Sequence, residues 1–173
     1  MKKTLLLAAL LATLNLQAIT VGETPKAIEV SGDNGGLVAD GSAWKSSTVK
    51  DKVYVMFYVD PDEKDVNEHF SNALKAKKYR EKGDFGSIAI INLAATWKPN
   101  FVIEKILNSK QEEFPDTIYV KDKNSVLVKE WDVADDASNI LIFDKKGKLL
   151  FYKSGKMEDA DMQKAFALIE ANL

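Results

Sequence analysis

The fold is decided by the stretch Val53-Tyr-Val-Met-Phe-Tyr-Val-Asp-Pro-Asp-Glu-Lys-Asp65. Residues Val53 to Val59 form an apolar run that is too short for a helix and rich in β-branched and aromatic side chains, which predicts a buried central strand. Asp60 can cap the segment that follows, Pro61 suits a first helical position, and Glu63 completes a capping box. The stretch therefore predicts a strand that leads directly into a helix.

The strands that follow place this one in a mixed sheet. Ile88 to Leu93 reads as a second buried strand, and the helix between the two strands implies a parallel crossover connection. Ile140 to Phe143 and Lys148 to Lys153 flank a glycine-containing turn, which predicts an antiparallel hairpin. An amphipathic helix over Met157 to Leu173 closes the chain. We expect an α/β sandwich with a central mixed sheet.

Four further segments are less regular. Residues 27–38 predict a short hairpin at the start of the domain, and residues 40–50 predict a polar loop. A helix is expected after Pro99, and its apolar positions at helical spacing are Val102, Ile103, Ile106 and Leu107. Thr117 to Val120 predicts a strand. The segment Val126 to Trp131 is compatible with either a short helix or an extended piece.

The N-terminus has the pattern of a secretory signal. Two lysines precede a short apolar run, and Ala18 is a suitable residue at a cleavage point. We expect a signal peptide at residues 1–18, a single domain at 19–173 and a periplasmic location. The apolar run is shorter than the roughly 20 residues that span a bilayer, and no later run is longer, so no membrane span is expected.

The charge of the chain argues against nucleic acid as a partner. Loss of Lys2 and Lys3 with the signal would lower the net charge from −2 to −4. Affinity for nucleic acid depends on lysine and arginine side chains that neutralise phosphates. An acidic exported chain lacks that basis.

The chain contains no cysteine, yet several of its segments resemble exported thioredoxin-like proteins of the thiol-reductase kind. The resemblance covers about residues 21–171. It depends on Val21-Gly-Glu-Thr-Pro-Lys26, Lys50-Asp-Lys-Val53, Phe114-Pro115 and Ile140-Leu-Ile-Phe-Asp-Lys-Lys-Gly-Lys-Leu-Leu-Phe151. Within that superfamily the chain is similar to the YtfJ family of small exported proteins without the thiol pair, through Trp97-Lys-Pro-Asn-Phe-Val102, Val128-Lys-Glu-Trp131, Ser138-Asn-Ile-Leu-Ile-Phe-Asp144 and Phe151-Tyr-Lys-Ser-Gly155.

The resemblance implies a thioredoxin-like three-layer sandwich whose usual reactive atoms are missing. Relatives place a Cys-x-x-Cys pair where this chain has Asp62-Glu63-Lys64-Asp65, and the proline that they hold in cis is replaced by Ser138. A dithiol needs two sulfur atoms, so thiol-disulfide oxidoreductase activity is excluded. The family brings no established activity that could be transferred to this chain.

Two groups of residues are candidates for a binding site at this edge of the sheet. Asp60, Asp62, Glu63 and Asp65 are compatible with a cation site or an acid/base pair, and equally with capping of free N–H groups at a helix start. Trp97 and Lys98 follow a predicted strand, at the edge where ligands bind in open α/β sheets. An exposed Trp97 would suit a peptide or partner surface, and its alternative is a ring folded over the second helix.

No cofactor or resident metal is expected. His69 is the only histidine, and one histidine without cysteine cannot supply the three or four nitrogen or sulfur ligands that zinc requires. The leading hypothesis is a redox-inactive binding or accessory module for a periplasmic protein or peptide, acting through Asp60 to Glu63, Trp97 and Ser138. The alternatives are an enzyme that uses carboxylates of the acidic turn, and a small-molecule carrier with a deep apolar cavity.

Overall fold

The computed structural model describes residues 18–173, without the side chain of Lys82, so the predicted signal peptide lies almost entirely outside the described residues. Its centre is a six-stranded mixed sheet. In spatial order the strands are β2 (Gly35–Leu37), β6 (Thr117–Asp122), β5 (Phe85–Asn92), β4 (Val53–Val59), β7 (Ser138–Phe143) and β8 (Leu149–Ser154).

The pairing of the strands confirms the predicted parallel and antiparallel connections. β4, β5 and β6 run parallel, with Val53 opposite Phe85 and Ser87 opposite Thr117. β7 runs antiparallel to β4, and β8 antiparallel to β7. A separate two-stranded ribbon joins β1 (Glu29–Val30) to β3 (Trp44–Lys45).

Helices cover both faces of the sheet. They are α1 (Glu68–Ala76), α2 (Asn100–Glu113), α3 (Val126–Trp131) and α4 (Asp159–Asn172). Phe70 of α1 and Ile169 of α4 pack on one face against a cluster that includes Phe85. Ile103 of α2 lies in a cluster that Ile91 adjoins, and residues 85 and 91 share a face of β5 because side chains alternate along a strand.

The opposite face carries α3 and the β1–β3 ribbon. Trp131 of α3 and Trp44 of β3 are buried there with Tyr58 and Phe143 of the sheet. The ambiguous segment 126–131 is therefore a helix, and both tryptophans are core residues. The three layers are helix, sheet and helix with ribbon.

The predicted hairpin over residues 27–38 is wrong. β1 pairs with β3, inside the segment predicted to be a loop, whereas β2 pairs antiparallel with β6 at the edge of the main sheet. Gly35 and Gly36 have φ angles of 117° and 146°, which side-chain-bearing residues rarely adopt. They let the chain pass from the ribbon to the main sheet. The glycine-rich segment therefore connects two sheets and does not form the turn of a hairpin.

Two predicted helical features also differ from the structure. The segment after Asp60 forms a 3-10 turn over Pro61–Glu63, and the α-helix starts only at Glu68. In α2 the buried face carries Ile103 and Leu107, whereas Val102 and Ile106 are exposed. In the described part of the chain, no helix is long and apolar enough to cross a membrane.

The Gly35→Ala variant is expected to lose stability far more than the Gly41→Ala variant. A Cβ at position 35 would lie 1.9 Å from the backbone oxygen of Lys121, whereas at position 41 it would meet nothing within 4 Å. Both positions have positive φ, so Gly41→Ala carries only the backbone cost of about 1 kcal/mol. Chemical denaturation of both variants measures the difference, and equal losses would contradict the close approach of β2 to β6.

Candidate functional site

The turn after β4 begins with a buried carboxylate that caps it. Asp60 is only 6% exposed, its carboxylate accepts the N–H of Asp62 at 2.8 Å, and its own N–H donates to the carbonyl of Ala137 at 3.0 Å. The turn is thus joined to the segment that leads into β7. Asp60 therefore acts as an N-cap, but the element that it caps is a 3-10 turn and not the predicted α-helix.

Asp62 connects the turn to the loop after β5. Its carboxylate accepts the hydroxyl of Thr96 at 2.7 Å and forms a hydrogen-bonded ion pair with the ammonium of Lys98. The side chains of Asp62 and Lys98 are each 36% exposed, so the pair lies at the surface. Two loops that are distant in sequence meet at this contact, at the carboxyl end of the parallel strands.

The pKa values of Asp60 and Asp62 are shifted in opposite directions. The hydrogen bond from Lys98, followed by that from Thr96, lowers the pKa of Asp62 below its ordinary value. Burial raises the pKa of Asp60, and the charges of Asp62, Asp136 and Glu63 add to that rise. Opposite pKa shifts separate the two groups into an ionised partner of a lysine and a buried cap.

The other two acids of the turn differ in exposure. Asp65 is exposed and pairs with its exposed neighbour Lys64, and Glu63 is half-buried. Among the described residues, no group of three or more histidine, aspartate or glutamate side chains is arranged to hold a metal ion. The predicted acidic cluster is therefore spread along the turn: Asp60 caps it, Asp62 bonds to the loop after β5, and Asp65 bonds to its neighbour Lys64.

Ser138 lies at the base of the turn but is not on the surface. It is 2% exposed, stands opposite Val59 in the β4–β7 pairing, and its hydroxyl accepts the amide of Asn67 at 3.0 Å. Asn67 also donates to the carbonyl of Gly155 and accepts the N–H of Met157 at 2.8 Å. Ser138 is thus brought close to the acidic turn through Asn67, a residue that sequence reasoning missed because an asparagine before a helix has many other uses.

Trp97 is the most exposed large apolar residue of this edge. Its side chain is 86% exposed, and Phe101 in the first turn of α2 is 73% exposed. Val102 and Ile106 add further exposed apolar surface to the same helix. The alternative of a ring folded over the second helix is absent from the structure, and Phe101 was missed because Val102 and its neighbours dominated the apolar pattern.

A buried polar layer lies beneath the edge. The fully buried carboxylate of Asp122 accepts the N–H groups of Val126 and Leu127 at the start of α3 and the hydroxyl of Tyr58 at 3.2 Å. Burial, together with the charge of Asp122, raises the pKa of Tyr58 far above its usual range. Both carboxylate oxygens of Asp122 thus accept hydrogen bonds from within the protein, and these bonds hold α3 on the sheet.

Fold and sequence together define a thioredoxin-like α/β protein without cysteine. The structure is similar to that of a Chlorobium tepidum protein described as a thiol:disulfide interchange protein DsbE. The TM-score is 0.60, the sequence identity is 16%, and the match covers 90% of this chain and 99% of that chain. At such low identity the likeness shows the fold alone, and it confirms the predicted thioredoxin-like sandwich.

Residues 20–172 match the YtfJ_HI0045 family, described as a bacterial protein of unknown function. The chain belongs to this family. An uncharacterized protein of Haemophilus influenzae is 28% identical over 130 residues, which are 73% of this chain and 70% of that protein. The uncharacterized protein YtfJ of Escherichia coli is 23% identical over 146 residues, 80% of this chain and 79% of that protein.

The opposite pKa shifts predict the order in which the carboxylates titrate. Asp62 should titrate below its ordinary value of 3.8 and Asp60 above its own. A carboxylate with a lowered folded-state pKa stabilises the fold above its unfolded pKa, and this contribution is lost as the pH falls through the folded pKa. Asp60 has the opposite sign and disfavours the fold as the pH rises through its raised pKa.

Carbon-13 NMR of the side-chain carboxyls over an acid titration measures both values. The Lys98→Met variant should raise the pKa of Asp62 and leave that of Asp60 still above its ordinary value. An unchanged Asp62 titration in Lys98→Met would contradict the ion pair as the cause.

Proposed function

We propose that this protein is an exported, redox-inactive thioredoxin-like module that binds a protein or peptide partner in the periplasm. Its binding surface, here called the acidic edge, consists of the turn Asp60 to Asp65, the loop of Trp97 and Lys98, and the first turn of α2. The observation that carries the proposal is the exposure of Trp97 directly beside the Asp62–Lys98 contact.

An exposed tryptophan side chain is unfavourable in water, and its burial in an interface contributes to the free energy of binding. Large aromatic side chains bury much area at little conformational cost, and tryptophan is enriched among the residues that dominate binding energy. Phe101 extends the apolar surface of Trp97 along α2. The Asp62–Lys98 ion pair fixes the loop that carries Trp97, so the ring is presented from an ordered support.

The charge of the acidic edge favours a basic partner. Two lysines, Lys64 and Lys98, stand against four acids of the turn, Asp60, Asp62, Glu63 and Asp65. The charge of Asp136, in the loop before β7, also acts on Asp60. Opposite charge across an interface speeds association and rejects partners of the same sign. A segment that combines lysine or arginine with apolar side chains fits both the carboxylates and the exposed rings.

A carboxylate enzyme is the second candidate, and the raised pKa of Asp60 is the observation that favours it. General acid/base work by a pair of carboxyls needs both groups free to meet a substrate. Asp60 is buried and already accepts a backbone N–H, and Asp62 already forms an ion pair with Lys98. These contacts support binding over catalysis.

Export is supported by the way the chain enters the domain. The N–H of Ile19 donates to the carbonyl of Trp131 at 3.0 Å, and Ile19 packs against the core, whereas Ala18 is exposed. Cleavage after Ala18 would leave every one of these contacts with the mature chain. The contacts of Ile19 with the domain therefore lie on the mature side of the expected cleavage point.

Capture of partners from a periplasmic extract tests the acidic edge. The Trp97→Ala and Asp62→Asn variants should each recover less of the partner. The loss for Trp97→Ala should be roughly thirtyfold or more, because truncating a central aromatic anchor costs about 2 kcal/mol or more. Val21→Ala is the matched control, since Val21 is also an exposed apolar residue and lies outside this edge. Recovery of the same partners by all variants would show that the surface is wrong.

An insulin-reduction assay tests the redox assignment. The protein should show no turnover, because it contains no cysteine thiol. The variant Asp62→Cys/Asp65→Cys should form an internal disulfide on oxidation, which thiol titration before and after oxidant measures. Turnover by the cysteine-free protein would refute the assignment, and two cysteines that cannot join would contradict the placement of these acids at the dithiol position.

A further inference from the structure

One edge of the β1–β3 ribbon has unpaired backbone groups. Ser46 donates its N–H to the carbonyl of Ile28 at 3.0 Å, and its hydroxyl accepts the N–H of Ile28 at 2.9 Å. Because hydrogen-bonding direction alternates along a strand, the N–H and C=O groups of Ala27 and Glu29 face away from β3. Those four groups have no backbone or side-chain partner among the described residues.

The unpaired edge forms one wall of a groove, here called the ribbon groove. The facing wall is α3, which presents Val126, Lys129 and Glu130, residues that share one helix face by their spacing. Lys26, Ile28, Asn34 and Asn124 complete the lining, and the volume is about 390 Å³. This volume lies within the roughly 300–1,000 Å³ that is typical of ligand sites.

The two walls are held at a fixed separation. The indole N–H of the buried Trp131 donates to the carbonyl of Lys26 at 2.8 Å, so the segment that leads into β1 is tied to the end of α3. The start of β8, at another sheet edge, is instead covered, because Leu149 exchanges hydrogen bonds with Gly22 and Glu23. The ribbon groove therefore combines an uncovered strand edge with a facing helix that is hydrogen-bonded to the segment before that strand.

Unpaired N–H and C=O groups at alternate residues of a strand are complementary to another extended backbone. At the rim, Lys26 pairs with Glu130, and Glu29 pairs with Lys45. Lys129 is exposed and has no ion-pair partner among the described residues. The uncompensated charge of the groove is positive, so an acidic side chain complements it.

We propose that the ribbon groove binds an extended peptide segment that carries an acidic side chain, which adds to β1 as a third strand of the ribbon. Backbone hydrogen bonds to Ala27 and Glu29 hold the segment, and Lys129 selects the acidic residue. This site is separate from the acidic edge, and it selects the opposite charge.

Two blocked pentapeptides test the proposal, Ac-Thr-Val-Glu-Val-Thr-NH2 and its counterpart with lysine in place of glutamate. Nitrogen-15 NMR should show shifts at Ala27, Glu29 and Val126 with the glutamate peptide, together with slower exchange of the Ala27 and Glu29 amide hydrogens. An N-methylated form of the same peptide should lose binding at least tenfold. Lys129→Glu should reverse the preference between the two charges.

The Ala27→Pro variant removes one of the unpaired N–H groups without touching a bond to β3, and it should weaken binding about tenfold. Ala27→Ser keeps the N–H and is the matched control. If Ala27→Pro fails to fold, the N-methylated peptide and Lys129→Glu still decide the matter.

Three outcomes would overturn the proposal: no perturbation of Ala27 and Glu29 at millimolar peptide, shifts confined to the acidic edge, or protection of the same amides by self-association seen in sedimentation. Binding at the acidic edge alone would leave the proposed function standing.

Discussion

The central strand β4 is buried on both faces and bonded along both edges, and this constraint orders the rest of the molecule. It pairs with β5 on one side and with β7 on the other over nearly its full length. Val53 and Val55 face the cluster under α1 and α4, while Met56 and Tyr58 face the cluster under α3. A strand in this position accepts no polar side chain without a partner, so every polar group is displaced to its end or paired.

The chemistry of the protein is therefore concentrated where the strands stop. Asp60 begins the turn as soon as β4 ends, Asn92 closes β5, and Asp122 closes β6. Each has a hydrogen-bonded task within the structure: a cap for Asp60, a cap for the turn after β5 for Asn92, and a cap for α3 for Asp122. The solvent-exposed groups at this edge lie farther along the loops and include Trp97, Asp62 and Asp65.

Periodicity predicted the large elements well and the small ones poorly. The strands β4, β5, β7 and β8 and the closing helix follow from runs whose burial pattern is strong in sequence. The alternation of Ile28 and Val30 predicts the first strand of the ribbon, but its partner was assigned wrongly. Each strand of the ribbon has two residues, so the pattern is too short to show that the partner is Trp44–Lys45.

The site shows the same division. Asp60 and Trp97 could be found because residue type and position after a strand carry information. The roles of Asn67, Thr96 and the Asp62–Lys98 pair depend on which loops meet, and no local pattern encodes that.

The Asp62–Lys98 contact also determines which change in surroundings this edge can sense. A dithiol at the same place would respond to the reduction potential of its compartment, through covalent chemistry with slow exchange. An exposed ion pair responds instead to ionic strength, because mobile ions screen it within a Debye length of about 8 to 10 Å near physiological salt. The chain has no thiol for an oxidant to act on, so the contact between these two loops changes in strength with salt concentration and not with reduction potential.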